Sequence, residues 1–206
     1  MIAIIDYGVG NLFSLRSSLG FLGAEAEVTG DPERIRRADK LILPGVGAFG
    51  DAADKLHGTG LDRVVLEETE KGKLLLGICL GMQLLFDRSF EYGEHRGLGL
   101  LSGDVIPMEG RLPENLKIPH IGWNALRYRR EDPLFRDVEE GSCVYFVHSF
   151  YAEAENPAVI ACAEYGVNVA AAAAKDNVMG CQFHPEKSGG VGLRILRNFC
   201  EMEGKS

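Results

Sequence analysis

One cysteine of the sequence lies where a thiol can act as a nucleophile. Cys79 is the centre of the pentapeptide GICLG and follows a run of apolar residues. The glycines on either side remove side chains that would collide where a buried strand turns sharply into a helix, which leaves Cys79 at an exposed corner. The unpaired amides and dipole of that helix favour an anion, so we expect a thiolate. The amide of Leu80 is a candidate donor to the oxyanion of a tetrahedral intermediate.

A histidine and a carboxylate that could serve this cysteine lie far along the chain. His184 and Glu186 flank Pro185, directly after the strand-like segment 178–183. Residues two apart on an extended chain face the same side, so Glu186 can accept a hydrogen bond from one imidazole nitrogen while the other faces Cys79. A positioned histidine contributes a factor of about 10²–10⁴ to a rate, here by protonating a leaving amine. A packing cysteine and a His-Pro turn would explain neither the flanking glycines nor Glu186. We therefore predict that Cys79, His184 and Glu186 form a catalytic triad that cleaves an amide.

The other cysteines have simpler interpretations. Cys143, Cys162 and Cys200 lie in apolar segments without a neighbouring histidine or cysteine, which favours core packing. Cys181 and His184 have the spacing of metal ligands, but a single pair cannot complete a tetrahedral zinc site. We predict no metal and no other cofactor.

A glycine-rich segment offers a competing function. Residues 45–50, GVGAFG, follow a strand-like segment and match the GxGxxG pattern of dinucleotide-binding folds. Pro44 intervenes, however, and that strand is not the first of the chain. The alternative is a second wall of the oxyanion hole, in which the peptide amides of Val46 and Gly47 approach or rotate toward the reacting carbonyl. This alternative is preferred because it fits the cysteine chemistry.

Composition limits the class of protein. The chain has 206 residues, of which 46% are hydrophobic, and we expect a single domain over residues 1–206. Five cysteines and the early charge of Asp6 predict a protein of the reducing cytoplasm, without a signal peptide or membrane span. A net charge of -8 argues against a nucleic-acid ligand, which needs a clustered basic surface.

Alternation of apolar strands with helical patterns predicts an α/β fold, a three-layer α/β/α sandwich with a central, mostly parallel sheet. The predicted strands are 2–5, 25–28, 40–43, 73–78, 104–109, 125–129, 144–151, 159–163, 167–172 and 178–183, and the predicted helices are 11–21, 51–71, a helix after Cys79, and 190–201. Helical patterns become rare after Leu100, so we expect a mixed or antiparallel extension of the sheet there.

Seven segments together resemble one known family. They are IDYGVGNL, LPGVGAFGDA, GICLGMQLLF, GLGLLSGDV, PHIGWN, YFVHSF and GCQFHPEKS, and they span nearly the whole chain. The sequence resembles the class I (triad) glutamine amidotransferases, and among them most closely the branch of glutaminase subunits that serve imidazole glycerol phosphate synthase in histidine biosynthesis. The resemblance implies hydrolysis of glutamine to glutamate and ammonia through a thioester on Cys79, with His184 as base and acid and Glu186 orienting it.

The same resemblance implies further roles. A (βα)₈-barrel cyclase would be the partner in a heterodimer, and would receive the ammonia through a protected tunnel to form imidazole glycerol phosphate and aminoimidazole carboxamide ribotide. Val46 or Gly47 would supply the second oxyanion amide. Residues implied to line the glutamine pocket are Gly45, Gly47, Gln83, His148 and Ser149, and those implied near the partner interface are Asn11, Trp123 and Lys187.

Three alternatives remain open at this point. Another amidotransferase subunit, of pyridoxal phosphate or anthranilate synthesis, would keep the triad and change the acceptor of ammonia. A free-standing cysteine hydrolase of γ-glutamyl peptides would need no partner, and a noncatalytic interaction protein would need no triad. We also expect the loop around Val46 to rest in an inactive orientation until the partner binds, because uncoupled hydrolysis would waste glutamine.

Overall fold

The computed structural model describes residues 1–153 and 156–203. The strands are β1 (Ile2–Ile5), β2 (Ala26–Thr29), β3 (Lys40–Leu43), β4 (Leu74–Ile78), β5 (Phe86–Ser89), β6 (His95–Arg96), β7 (Leu101–Pro107), β8 (His120–Ala125), β9 (Arg127–Tyr128), β10 (Cys143–His148), β11 (Phe150–Ala152), β12 (Val159–Glu164), β13 (Asn168–Lys175) and β14 (Val178–Cys181). The α-helices are α1 (Leu12–Phe21), α2 (Pro32–Arg37), α3 (Phe49–Gly58), α4 (Leu61–Glu70), α5 (Leu80–Leu84) and α6 (Gly189–Glu201).

The main sheet combines a parallel half with an antiparallel half. Within the described residues it has eight strands in the order β2-β1-β3-β4-β14-β13-β12-β9. The first five are mutually parallel, and the pairs from β14 to β9 are antiparallel. A smaller sheet has the order β11-β7-β5-β6, and β8 pairs with β10 as a separate antiparallel ribbon. The predicted mixed extension is therefore confirmed.

Successive residues of the central strands enter two different cores, as the two-residue period of a strand requires. On β1, Ile2 and Ile4 pack with residues of α1 and α6, whereas Ala3 and Ile5 pack with residues of α2, α3 and α4. Helices thus cover both faces of the parallel half, which confirms the three-layer α/β/α sandwich. Among the described residues, no helix has the length and apolar character that crossing a bilayer requires.

The alanine-rich segment is a fully buried strand. Ala170, Ala171, Ala172 and Ala173 lie on β13 and have no exposed surface. Ala170 and Ala173 belong to one core, and Ala171 and Ala172 belong to the other. Alanine is normally depleted in strands, so burial between neighbouring strands outweighs local propensity in this segment.

The structure corrects several boundaries. The single helix predicted over residues 51–71 is two helices, because Gly60 has a left-handed φ of 71° and the Thr59 hydroxyl donates to the carbonyls that end α3. The predicted strand 144–151 is divided at Ser149 between β10 and β11, which belong to different sheets. Strands β5, β6 and β8 were not predicted. The core position predicted for Cys143 is also wrong, because this residue is exposed at the start of β10.

Parallel strands bring their connecting loops to one edge. The loops after β1, β3, β4 and β14 all leave the carboxyl ends of neighbouring strands, and β14 pairs directly with β4, with Cys181 opposite Ile78. Cys79 follows β4 and His184 follows β14 by three residues. The carboxyl edge, where open α/β sheets bind ligands, therefore holds both residues.

Candidate active site

The turn from β4 into α5 holds Cys79 in a conformation that non-glycine residues rarely adopt. Its φ is 55° and its ψ is -113°. A Cβ on Gly77 would lie 2.7 Å from the carbonyl oxygen of Gly81, and a Cβ on Gly81 would overlap the carbonyl oxygen of Leu43. The two glycines thus allow α5 to start against the ends of β3 and β4. The predicted strained strand-to-helix turn is therefore present, but Cys79 is 7% exposed and so is buried, contrary to the exposed corner that was expected.

His184 is held between a carboxylate and the thiol. Its Nδ1 lies 2.9 Å from Glu186 Oε1, and the side chains of both residues are 3% exposed. Its other nitrogen is left for Cys79, with which the imidazole makes a hydrogen-bonding interaction. The backbone amide of His184 donates to the carbonyl of Tyr145 at 2.9 Å, which fixes the loop to β10. The structure thus brings the three residues of the predicted triad together.

The charges around His184 favour its protonated form. Burial alone lowers the pKa, but the hydrogen bonds with Cys79 and Glu186, together with their negative charges, raise the pKa of His184 from 6.5 to about 9. By contrast, burial raises the pKa of the neighbouring Cys181 thiol well above its ordinary value, and the charges of Glu186 and Cys79 add to this effect. The site therefore combines a protonated imidazole with one suitably placed sulfur, that of Cys79.

A cavity of about 280 Å³ opens onto Cys79. This volume lies just below the range of about 300–1,000 Å³ typical of drug-sized ligands, so it suits an amino acid better than a nucleotide. The residues that line it are Val46, Gly47, Cys79, Leu80, Gln83, Glu91, Pro119, Val147, His148, Ser149, Phe150 and His184. Of the residues implied for glutamine binding or the oxyanion hole, only Gly45 is not in this lining.

Gly45 has a different position, beneath the loop. A Cβ on Gly45 would lie 2.8 Å from the amide nitrogen of Gly81 and 2.9 Å from the hydroxyl of Tyr7. That hydroxyl donates to the carbonyl of Pro44 at 2.8 Å and holds the start of the loop. Gly47, at the rim of the cavity, has a φ of 97°, which favours glycine. Gly45 therefore permits close packing, while Val46 and Gly47 face the cavity.

Polar side chains of the pocket are fixed by internal hydrogen bonds. Gln83 is 5% exposed, and its Nε2 donates to the carbonyl of Phe150 at 2.9 Å. Nδ1 of His148 lies 2.9 Å from the same carbonyl, and its Nε2 lies 2.9 Å from Nδ1 of His120. Both side chains thus converge on the carbonyl of Phe150, at the start of β11.

A model of the glutamine amidotransferase class-I family matches residues 3–202. The chain belongs to this family. Among curated relatives, the imidazole glycerol phosphate synthase subunit HisH of Wolinella succinogenes is 50% identical over 204 residues, which cover 98% of this chain and 100% of that protein. The subunit of the same name from Bacillus subtilis is 49% identical over 205 residues, covering 98% of this chain and 96% of that protein.

Solved structures show the same family fold at lower sequence identity. A structure described as a glutamine amidotransferase aligns with a TM-score of 0.75 at 20% identity and covers 97% of each chain. The structure of PurLQS from Thermotoga maritima aligns with a TM-score of 0.72 at 21% identity and covers 96% of each chain. The similarity supports the fold, whereas the relatives of higher identity identify the branch of the family.

The family resemblance implied three residues near a partner surface, and the structure places two of them side by side. Trp123 on β8 is 57% exposed, and its ring lies 6.1 Å from that of Tyr145. The Lys187 ammonium lies 5.9 Å from the same Tyr145 ring. Asn11 caps α1, accepting from the Ser14 amide at 3.4 Å, and α1 contacts the turn that carries Lys187. These residues flank the carboxyl edge beside the pocket.

Three polar residues of the site were missed from the sequence. Glu91 lines the pocket, and its Oε2 accepts from the Phe49 amide at 2.6 Å. Gln182 is buried beside Cys79, and His120 is buried beside His148. Gln182 had a usable signal, since it lies two residues before His184 on an apolar segment. Glu91 and His120 had none, because their positions depend on contacts between distant strands.

Proposed function

We propose that this chain hydrolyses glutamine to glutamate and ammonia as the glutaminase subunit of imidazole glycerol phosphate synthase. The single observation that carries the chemistry is the buried arrangement of His184 between Glu186 and Cys79. The names of the relatives from Wolinella succinogenes and Bacillus subtilis support the choice of enzyme. The reaction needs no metal, and residues 1–206 act as one domain.

In the first step, the Cys79 thiolate attacks the carboxamide carbon of glutamine. The carbonyl electrons move to oxygen, and the amide of Leu80 and a peptide amide of the Val46–Gly47 loop stabilise that oxyanion. Leu80 is the first residue of α5, where backbone amides lack a partner within the helix. The carbon–nitrogen bond then breaks, the proton of His184 passes to the leaving nitrogen, and ammonia and a γ-glutamyl thioester are formed.

In the second step, His184 accepts a proton from water, which attacks the thioester carbon. The carbon–sulfur bond breaks, so that glutamate leaves and the Cys79 thiolate opposite a protonated His184 is restored. Glu186 holds Nδ1 throughout and keeps the other nitrogen directed toward sulfur. This cycle makes His184 first an acid and then a base, which its position between two negative groups supports.

The cavity offers complementary groups to the two ends of glutamine. Gln83, His148, Ser149 and Glu91 all line the cavity. We assign Glu91 to the α-ammonium group, because it is the acidic residue of the cavity lining. Amides near Ser149 are suited to the α-carboxylate. The substrate carboxamide would then reach Cys79 at the closed end.

Ammonia would leave toward a (βα)₈-barrel cyclase that binds the carboxyl edge, in a cytoplasmic heterodimer. Support comes from the exposed aromatic surface of Trp123 and from Phe13, which is 82% exposed at the start of α1. We propose that Asn11, Trp123 and Lys187 contact this partner. The loop with Val46 and Gly47 would adopt its productive orientation only in the complex, because Gly47 allows the peptide to rotate at low cost.

The test is glutamate production from glutamine by the purified chain, alone and with the cyclase and its ribonucleotide substrate. Strong stimulation by the partner that is abolished in Cys79→Ala would support both the chemistry and the coupling. Cys143→Ala is a matched control, since Cys143 is exposed and distant in sequence from the triad. Equal activity of the free chain would contradict the inactive loop, and efficient cleavage of γ-glutamyl dipeptides would favour a free-standing hydrolase.

A further inference from the structure

Gln182 connects the nucleophile to the pocket wall. It follows β14, and its side chain is fully buried. Its Nε2 lies 3.7 Å from the Cys79 sulfur, and its Oε1 accepts a hydrogen bond from Gln83 Nε2 at 2.9 Å. The reaction steps above assign no role to this carboxamide. Its two ends nevertheless contact the reacting sulfur and a residue of the glutamine pocket.

The direction of these hydrogen bonds is fixed by chemistry. The Phe150 carbonyl can only accept, so Gln83 presents its nitrogen to Phe150 and to Gln182. The oxygen of Gln182 must then face Gln83, and its nitrogen faces Cys79. A flipped amide would place oxygen against sulfur and nitrogen against the nitrogen of Gln83. Both contacts would be repulsive in a buried site, where unpaired polar groups are costly.

The hydrogen bonds of Gln83 fix the orientation of its own side-chain amide. Its Nε2 carries two hydrogens, and these go to Gln182 Oε1 and to the carbonyl of Phe150, each at 2.9 Å. Within residues 1–153 and 156–203, the hydrogen bonds of the Gln83 side chain are all donated by this nitrogen. The nitrogen is therefore saturated, and Oε1 is the atom of the amide left for a ligand.

We propose that Gln182 is a positioning residue that sets the amide orientation of Gln83, so that Gln83 offers an acceptor to an N–H group of the substrate. The inference rests on the proposed function, because glutamine supplies that N–H group from its ammonium or its carboxamide. Without Gln182, the Phe150 carbonyl alone holds the Gln83 amide, so rotations that present N–H groups to the donors of the substrate become more populated. Substrate recognition is then lost although Gln83 itself remains.

The first test is steady-state glutaminase kinetics of the complete complex. Gln182→Met keeps the length of the side chain and removes its donor and acceptor, and we expect the KM for glutamine to rise about tenfold. Gln182→Glu keeps an oxygen facing Gln83 and, with its buried carboxyl group protonated, an O–H group facing the Cys79 sulfur, and should return KM to within about twofold of the unmodified value. A residue that only fills space would give the opposite order, because methionine packs better than a buried carboxyl group.

A double-mutant cycle with Gln83→Met distinguishes action through Gln83 from a separate effect. If Gln182 acts through Gln83, Gln83→Met and the variant with both substitutions will have the same KM. Independent multiplication of the two effects on KM would overturn the inference, as would an unchanged KM in Gln182→Met. Should the methionine variant not fold, a KM for Gln182→Glu as high as that for Gln83→Met would also overturn it.

Alkylation of Cys79 by iodoacetamide, a small reagent that does not require the glutamine pocket, checks each variant for an intact thiol site. Reaction with iodoacetamide together with a raised KM for glutamine would locate the defect in substrate recognition. If the unmodified complex forms no glutamate, the proposed function fails and this inference fails with it. If the unmodified complex is active and KM is insensitive to Gln182→Met, the inference alone fails.

Discussion

Two buried pairs that contain histidine, His184–Glu186 and His120–His148, differ in the charge of their imidazoles at neutral pH. In one, His184 has its pKa raised to about 9 by Cys79 and Glu186 in spite of burial. In the other, burial lowers the pKa of His120 to about 4, and burial, the neighbouring His120 and the charge of His184 lower that of His148 to about 3. The same side chain is thus a cation in the first pair and neutral in the second.

Hydrogen-bond partners, and not depth of burial, account for this difference. His184 and His120 are each 2% exposed. His148 Nδ1 faces the Phe150 carbonyl, which can only accept, so this nitrogen carries the proton and Nε2 accepts from His120 Nδ1. A neutral chain of donors and acceptors satisfies this pair without an anion. The pair therefore supports the pocket wall without competing with His184 for a proton.

Removing the charge of Glu186 should reduce glutaminase activity more than any other change in the two pairs, apart from the loss of His184 itself. Loss of Cys79 would likewise have a larger effect. Glu186→Gln keeps an oxygen that can accept from Nδ1 but lowers the pKa of His184, because the negative charge is lost. We expect kcat for glutamine hydrolysis to fall by about 10²–10⁴-fold. Steady-state glutamate formation across a pH series measures this, and the arm that reports His184 should move to lower pH.

Glu164→Gln is the matched control, because Glu164 lies at the exposed end of β12 and forms a surface ion pair with Arg127. It should leave kcat unchanged. A Glu186→Gln enzyme with kcat within about twofold of the unmodified enzyme would show that geometry alone positions His184, contrary to the electrostatic role of Glu186.

The sequence predicted one histidine pair and not the other for a physical reason. The GICLG and HPE segments contain their own local geometry: two glycines fix the turn at Cys79, and a 3-10 turn over Pro185–Lys187, not the extended chain that was expected, places Glu186 beside His184. His120 meets His148 only because β8 pairs with β10, where the two residues are directly opposite. Since β8 was not predicted, neither was the contact.

The same distinction applies to the fold. Strand β3 was predicted with its observed bounds because three buried apolar residues lie between Lys40 and Pro44. The break at Gly60 was missed because a glycine inside a helical pattern does not reveal its φ. Likewise, the division at Ser149 depends on β10 and β11 pairing with different strands, information that no local pattern contains.

Protein stability should respond to pH in opposite directions at the two pairs. The pKa of folded His120, about 4, lies below the unfolded value of 6.5, so its contribution to stability is lost as pH falls through this range. The pKa of folded His184, about 9, lies above the unfolded value of 6.5. Its contribution to stability is therefore present below pH 6.5 and is lost as the pH rises toward 9. His120→Gln retains a donor for His148 and removes one titrating group.

We therefore expect His120→Gln to lose less stability than the unmodified chain between about pH 7 and about pH 5, by about 2 kcal/mol. Urea unfolding at the two pH values measures this difference. His57→Gln is the control, since the His57 side chain is 73% exposed and lies far from both pairs in sequence. Equal acid sensitivity of His120→Gln and the unmodified chain would mean that His120 is protonated in the folded protein.

The smallest expected effect comes from placing a carboxylate beside His120, as Glu186 lies beside His184. Asn124 Nδ2 lies 3.3 Å from His120 Nε2 and acts as a donor to it. In Asn124→Asp the side chain can only accept a hydrogen bond. His120 must then carry a proton on Nε2 to donate to this carboxylate, in addition to the proton on Nδ1 that it donates to His148. An opposite charge at this distance should raise the pKa of His120 by about one unit, which the pH dependence of its imidazole NMR signals would report.

The control is Asn168→Asp, which adds the same charge on β13. Asn168 lies opposite Glu164 of β12, and the Glu164 carbonyl accepts from Asn124. This variant should leave the pKa of His120 nearly unchanged. A rise in Asn124→Asp alone would show that a single carboxylate at hydrogen-bonding distance determines which buried histidine of this protein is a cation, whereas equal shifts in both variants would assign the effect to long-range charge.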